Sequence, residues 1–245
     1  MASFARDKKE ESMNRRLRVR RAIILSLFIC LLLPWTTQAA EPLSDIEAVN
    51  KALAEAKPGQ TVVIADGFYR DATIKLTASG EKDQFVTLAA QTPGKVVFTG
   101  RSRVYMLGKY QHVTGLVFHN NISGYEMNFG DGRGISAQFC RLSHCAFNRS
   151  GDVKSVYSHT VEVAKDSTDN EIDHCYWAQS LSMSLGVRAG GERTKIHHNW
   201  FRDIVARGRN GQEAVQLVAE IDKPLSALVE YNLFDGACGD EEIIS

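Results

Sequence analysis

Asp173-His-Cys-Tyr-Trp177 and His197-His-Asn-Trp-Phe201 decide the fold, because they are one pattern written twice. Three further copies align with them: Thr114-Gly-Leu-Val-Phe118, Ser143-His-Cys-Ala-Phe147 and Glu230-Tyr-Asn-Leu-Phe234. The closing aromatics are spaced by 29, 30, 24 and 33 residues. Such a period, with a short strand in each copy and turn residues between, is the mark of a solenoid, in which each unit buries its apolar face against its neighbours. The unequal spacing puts the insertions in loops, and loops on one face of a solenoid usually form the binding side.

Each unit holds too few apolar residues for a pair of helices, and Ile172, His174 and Tyr176 alternate with Asp173, Cys175 and Trp177 as in a strand. Earlier strands read as Thr61-Val-Val-Ile64, Thr73-Ile-Lys-Leu76, Phe85-Val-Thr-Leu88 and Val96-Val-Phe98, parted by turns at Pro58-Gly59, Asp66-Gly67, Gly80 and Pro93-Gly94. The expected architecture is an all-β, right-handed parallel β-helix. A β-sandwich is the main rival, but it does not predict the repeat. One helix is signalled, from Ser44 to Ala56, with Ser44 as cap, Glu47 completing a capping box, and Ile46, Val49 and Leu53 on one face. Its natural task is to cover the apolar end of the first coil.

The period also sorts the polar residues. Asn199 and Asn232 fall at equivalent places, where stacked asparagines satisfy backbone groups at a coil corner. His144, His174 and His198 recur once per coil, so they form a line, whereas metal ligands must converge on a point. Cys145 and Cys175 are stacked the same way at about 4.8 Å strand spacing, which leaves open either a bridge or two small buried apolar side chains.

Residues 1–40 read as an export leader: Arg15, Arg16, Arg18, Arg20 and Arg21 precede an apolar run from Ala22 to Pro34, and Thr37-Gln38-Ala39-Ala40 offers a small-residue cleavage site. The run is short for a membrane span, which needs about 20 apolar residues, so no stable anchor is expected after cleavage. A single domain is expected over residues 41–245. Eight of the 29 basic and three of the 29 acidic residues precede Ala22, leaving 21 against 26 and a net charge of −5. That balance argues against nucleic-acid binding.

The chain resembles the polysaccharide lyases of family 6, the group containing alginate lyases and chondroitinase B. The resemblance rests on Pro58-Gly-Gln-Thr-Val-Val-Ile-Ala-Asp-Gly-Phe-Tyr69, Thr92-Pro-Gly-Lys-Val-Val-Phe-Thr-Gly100, Val187-Arg188, Ile196-His-His-Asn-Trp-Phe201, Asn210-Gly-Gln-Glu213 and Glu242-Ile-Ile-Ser245. It implies a secreted or periplasmic, monomeric enzyme that cleaves an anionic uronate polysaccharide by β-elimination, with Ca2+ in the substrate groove.

By the same resemblance the calcium ligands fall on Asn210, Asp240 and Glu242. The residues agree with this: Asp240 and Glu242 are two apart on a strand and share a face, and Asn210 precedes Asp240 by thirty residues, close to one coil. Adjacent carboxylates with no basic residue between them repel, and a divalent cation relieves this. Arg188 is expected to contact a substrate carboxylate, with Gln216 standing where relatives often carry Arg. Arg188, Arg193, Lys195, Arg202, Arg207 and Arg209 crowd the stretch before Asn210, a locally basic wall that would suit a polyanion, although for all but Arg188 a solvated coil face is the preferred reading. The family's catalytic Lys and its assisting Arg would fall after Ser245, so no catalytic residue is assigned within the chain. Alginate is the favoured substrate; a chondroitinase B-like action on dermatan sulfate, or a non-catalytic polyuronate-binding module, are the alternatives. The segment from Asp203 to Arg209 lacks the family's proline-rich loop, which bears on specificity.

Overall fold

The computed structural model describes residues 41–151, 158–179, 184–204, 213–218, 225–237 and 242–245. The expected leader and the residues Arg207, Arg209, Asn210, Cys238 and Asp240 lie outside them.

Among the described residues a short helix, α1 (Ile46–Glu55), leads into twenty strands wound three to a coil. The first sheet takes β1 (Thr61–Ile64), β4 (Val86–Ala90), β7 (Gln111–Thr114), β10 (Arg141–Ser143), β13 (Glu171–Asp173), β16 (Thr194–His197) and β19 (Ala227–Glu230). The second takes β2 (Gly67–Arg70), β5 (Val96–Gly100), β8 (Leu116–Asn121), β11 (Ala146–Asn148), β14 (Tyr176–Ala178), β17 (Trp200–Arg202) and β20 (Leu233–Asp235). The third takes β3 (Thr73–Leu76), β6 (Arg103–Met106), β9 (Tyr125–Phe129), β12 (Ser158–Val163), β15 (Ser184–Ala189) and β18 (Val215–Leu217). Every strand pairs in parallel with its counterpart one coil away, which makes the molecule the parallel β-helix that the repeat implied.

The five repeated segments prove to be one corner of the coil, the passage from the first sheet to the second. Their closing aromatics stack as a column: Phe118 on Phe147, Phe147 on Trp177, Trp177 on Phe201 and Phe201 on Phe234, with centroids 4.6–5.2 Å apart. The column continues backward to Phe98 and Tyr69, which the sequence pattern did not include. At the corner itself His144, His174, His198 and Tyr231 all hold φ between 52° and 55°. Left-handed backbone is costly for a bulky residue. Here the flat rings stack at 5.1–5.3 Å, a line of histidines as expected.

The asparagines do what their position predicts. Asn199 accepts from the Cys175 amide and donates to the Ile172 carbonyl, both at 2.9 Å, and Asn232 repeats the pattern on Asn199 N and Ile196 O. Asn199→Ala is expected to cost about 2–3 kcal/mol, because it strands a buried donor and a buried acceptor at once. Urea denaturation checks this, and a cost near zero would show that water replaces the amide. Cys145 and Cys175 are free, buried thiols; Cys175 Sγ faces the carbonyls of Asp173 and Leu142, so the small-apolar reading holds.

The helix differs from expectation at its start. Asp45, not Ser44, caps it, its Oδ2 accepting from Ala48 N at 2.8 Å. The carboxylate gives a charged acceptor to the helix N-terminus, which outweighs the Ser44 hydroxyl. Val49 and Leu53 are fully buried, and the Asn50 amide bonds both Thr73 O and Lys75 N, fixing α1 against the first coil.

Candidate functional site

The outer face of the third sheet carries the site. Strict register aligns one outward side chain per coil, so that Lys75, Tyr105, Asn128, Glu162, Arg188 and Gln216 are successive neighbours. Inward neighbours such as Met127, Val161 and Val187 are fully buried, and this alternation pins the row to the surface. Arg188 and Gln216, both expected to meet substrate, therefore stand side by side.

Arg188 is held rather than free. Its Nη1 lies 2.7 Å from Glu162 Oε1, while Glu162 Oε2 has no hydrogen-bond partner. Burial pushes the Glu162 carboxyl above its usual range, and Arg188 draws it back only in part. Nearby, His159 packs edge-on against Tyr125, and burial together with Arg188 lowers its ring to about 4, so it is neutral at ordinary pH. A groove of about 840 Å³ opens on this face from Thr73 to Ala164, with Glu162 in its wall.

Behind the groove a fully buried acid, Glu126, sits beside Arg103 and Asn121. Asn121 spends both amide hydrogens on Ser102 O and Ser123 Oγ, and neither Glu126 oxygen has a hydrogen bond. Burial, only weakly opposed by those neighbours, pushes the carboxyl up to about 8.

At the C-terminal end, Ile244 pairs in parallel with Val215, and Ser245 exchanges hydrogen bonds with Val215 and Leu217. Glu242 is exposed two residues before Ile244, and Glu213 is buried two residues before Val215, its Oε2 unpartnered. The two carboxyl-bearing residues thus precede, by the same two positions, a bridged pair on neighbouring coils. Asn210 and Asp240, the other two expected calcium ligands, lie outside the described residues.

The basic stretch before Asn210 is not one wall. Arg193 forks onto Asp169 and touches Glu192 at the edge of the first sheet, Arg202 lies over Trp200 near Asp203 and Asp235 on the second, and of the described members only Arg188 stands on the third sheet, paired to Glu162 in the groove wall. Consecutive strands of a three-sided coil face three directions, so closeness in sequence does not place charges on one face.

A second polar cluster occupies the first sheet. Glu171, Asp173 and His197 bring ligand atoms within 4.8 Å of one another, a grouping that could hold a metal ion. The sequence pattern missed it, because the three residues come from two strands and only register brings them together. Arg141 already grips both Asp173 oxygens at 2.7 Å, and His197 Nε2 lies 2.8 Å from Glu171. Burial alone would raise Asp173, but the Arg141 fork and the His174 ring hold it below the usual range. The positive charge a metal would bring is thus largely supplied, and an imidazole is a poor ligand for a hard cation such as calcium.

Residues 43–245 match the family model described as chondroitinase B. The chain belongs to the chondroitinase B family. Among solved structures, it is 27% identical to the PL6 family alginate lyase AlyGC, with a TM-score of 0.77 over 84% of this chain and 30% of that one. A mannuronic acid specific family 6 lyase from human gut microbiota gives 27% identity and a TM-score of 0.74 over 82% of this chain and 49% of that one. The family 6 polysaccharide lyase of Pseudopedobacter saltans, at 22% identity and a TM-score of 0.73 over 83% and 48%, shares the fold. This member of the chondroitinase B family therefore spans between about a third and a half of the length of those structures. No curated protein sequence matches it.

Proposed function

We propose that the chain is part of an exported, calcium-dependent lyase that cleaves uronate polymers by β-elimination, with alginate as substrate. The observation that carries the proposal is the in-register pair Arg188 and Gln216 on the outer face of the third sheet, next to Glu162 of the groove wall and followed by the Glu242–Ser245 segment that pairs with the same strand as Gln216. Two similar structures at 27% identity are an alginate lyase and a mannuronic acid specific lyase, which favours alginate. The family model's own description keeps dermatan sulfate as the second substrate to assay.

In β-elimination a base takes the C5 proton of the uronate, the C4–O bond breaks toward the leaving sugar, and a C4=C5 double bond forms. The C5 proton is scarcely acidic while the neighbouring carboxylate carries full charge. A calcium ion held by Asn210, Asp240 and Glu242 would neutralise that carboxylate and stabilise the enolate-like charge. The acidic residues suit such an ion: Glu242 offers exposed hard oxygens, and the buried Glu213 Oε2, on the neighbouring coil, has no hydrogen-bond partner among the described residues. Arg188, oriented by Glu162, presents its remaining N–H groups to a carboxylate in the groove, and the Gln216 amide adds a neutral donor next to it.

The test is product formation by the protein expressed from its whole reading frame. Alginate is expected to yield the conjugated, ultraviolet-absorbing product, with the rate falling about a hundredfold on calcium chelation and returning on its addition. Arg188→Ala is expected to raise KM about tenfold while leaving the chelation effect in place. No such product from alginate, chondroitin or dermatan sulfate would sink the lyase reading, and a rate indifferent to chelator would sink the calcium one.

A further inference from the structure

Arg141, Arg188, Arg193 and Arg202 each lie against a carboxylate one coil away. The groove from Thr73 to Ala164 gathers basic side chains without such a pair. Lys75 from β3, Arg101 just before β6, Arg103 at its start, and Arg133 from the loop after β9 all line it, and none forms an ion pair among the described residues, although Arg103 faces the buried Glu126 and Arg133 lies near Asp131. Arg103 donates to the Ser123 carbonyl at 2.9 Å, which points it along the wall. The two carboxylates in the lining are spoken for. Asp131 accepts from the amides of Arg133 and Ile135 at 2.8 and 2.9 Å, and Glu162 is paired with Arg188.

The Asp131 bonds matter for a second reason, because they fold the loop that carries Arg133 and set it on the groove rim. Tyr105 and Tyr125 add two ring faces with hydroxyls to the same lining. Four like charges on one groove outnumber the carboxylates near them, and an extended polyanion along the groove relieves their repulsion. In a chain whose mature part is acidic, their concentration here is a local device.

We infer that this end of the groove is a distal subsite that grips carboxylates of the polymer far from the bond that is cut. From Gln216 to the level of Arg103 is four coils, and to Lys75 five, which is about 19–24 Å at the strand spacing of a parallel sheet. Only a chain several sugars long spans that distance, so the subsite selects for polymer over short oligosaccharide. The identity of the anion, a polyuronate, rests on the lyase reading above; the site itself does not.

The experiment compares the wild type with the triple variant Lys75→Gln, Arg101→Gln, Arg133→Gln, which leaves Arg103 and its bond to Ser123 untouched. Binding of long-chain alginate and of di- and trisaccharides cut from it is measured by calorimetry at two salt concentrations, without turnover. The variant is expected to bind the polymer about tenfold more weakly, with a shallower salt dependence, and the short sugars as the wild type does. Arg133→Gln alone is expected to weaken polymer binding about threefold, a check that does not depend on the triple variant folding. Equal polymer affinity in wild type and variants, or the same loss on short sugars, would overturn the proposal. Tighter binding of single-stranded RNA than of alginate would overturn the glycan assignment. A protein that grips polymer through these residues but releases no unsaturated product would keep this proposal and remove the lyase reading.

Discussion

Glu126→Gln is expected to make the protein more stable at pH 8 while changing little at pH 5. The native carboxyl, buried and without a hydrogen bond, keeps its proton up to about pH 8, whereas in the unfolded chain it titrates near its ordinary 4.5. Between those values the native state holds one proton more than the unfolded state, so stability falls as pH rises, by about 1.4 kcal/mol per pH unit. Across the window the loss is on the order of 4 kcal/mol. Glutamine has the same shape and no charge, so the variant's stability curve should be flat where the wild type's declines. Denaturant titrations at pH 5, 6, 7 and 8 would show it, and parallel curves would mean that the carboxyl is solvated or paired in solution. Among the described residues, Arg103 is the charge that faces it, with Asn121 and the Gly151 backbone beside it.

Trp177→Ala is expected to cost about 3–5 kcal/mol, near the top of the range for emptying a core site. The indole lies between Phe147 at 5.1 Å and Phe201 at 4.6 Å, both nearly parallel to it, and its Nε1 donates to Thr160 Oγ1 at 2.8 Å. Alanine removes two stacking contacts, leaves a void in the middle of the column and takes away the donor to Thr160 Oγ1. Since each coil contacts only its neighbours, the damage should appear as faster hydrogen exchange in β11, β14 and β17, the strands on either side of the gap. Trp177→Phe restores the column without the hydrogen bond, and about 1–2 kcal/mol is the expected cost. A Trp177→Ala protein that melts like the wild type would show that the column is an ornament of the fold and not its support.

The repeat was legible because it covers the corner where side-chain identity is dictated by geometry. From β10 to β20 the first sheet passes to the second through two residues in every coil, with an aromatic fixed three residues on. The third sheet has no such constraint. It is entered by connections of nine residues before β12, five before β15 and twelve before β18, and its outward residues are Tyr105, Asn128, Glu162 and Arg188, a series with no chemical likeness. The groove was therefore the least readable face. Arg188 was found only through a family pattern, and the unpaired cluster of Lys75, Arg101, Arg103 and Arg133 was missed because its members sit on three coils up to 58 residues apart. Glu126 gave no signal either, since nothing local marks a carboxyl that the winding will bury.

The two-residue corner has an evolutionary consequence. A coil whose first turn is invariant in length hands the same backbone position to the next coil, whatever is inserted elsewhere, so lengthening a loop at the groove leaves every core residue in register. Variation is thereby channelled to the groove side of the coil. Such a lineage can reshape its groove by editing a rim while inheriting its frame intact.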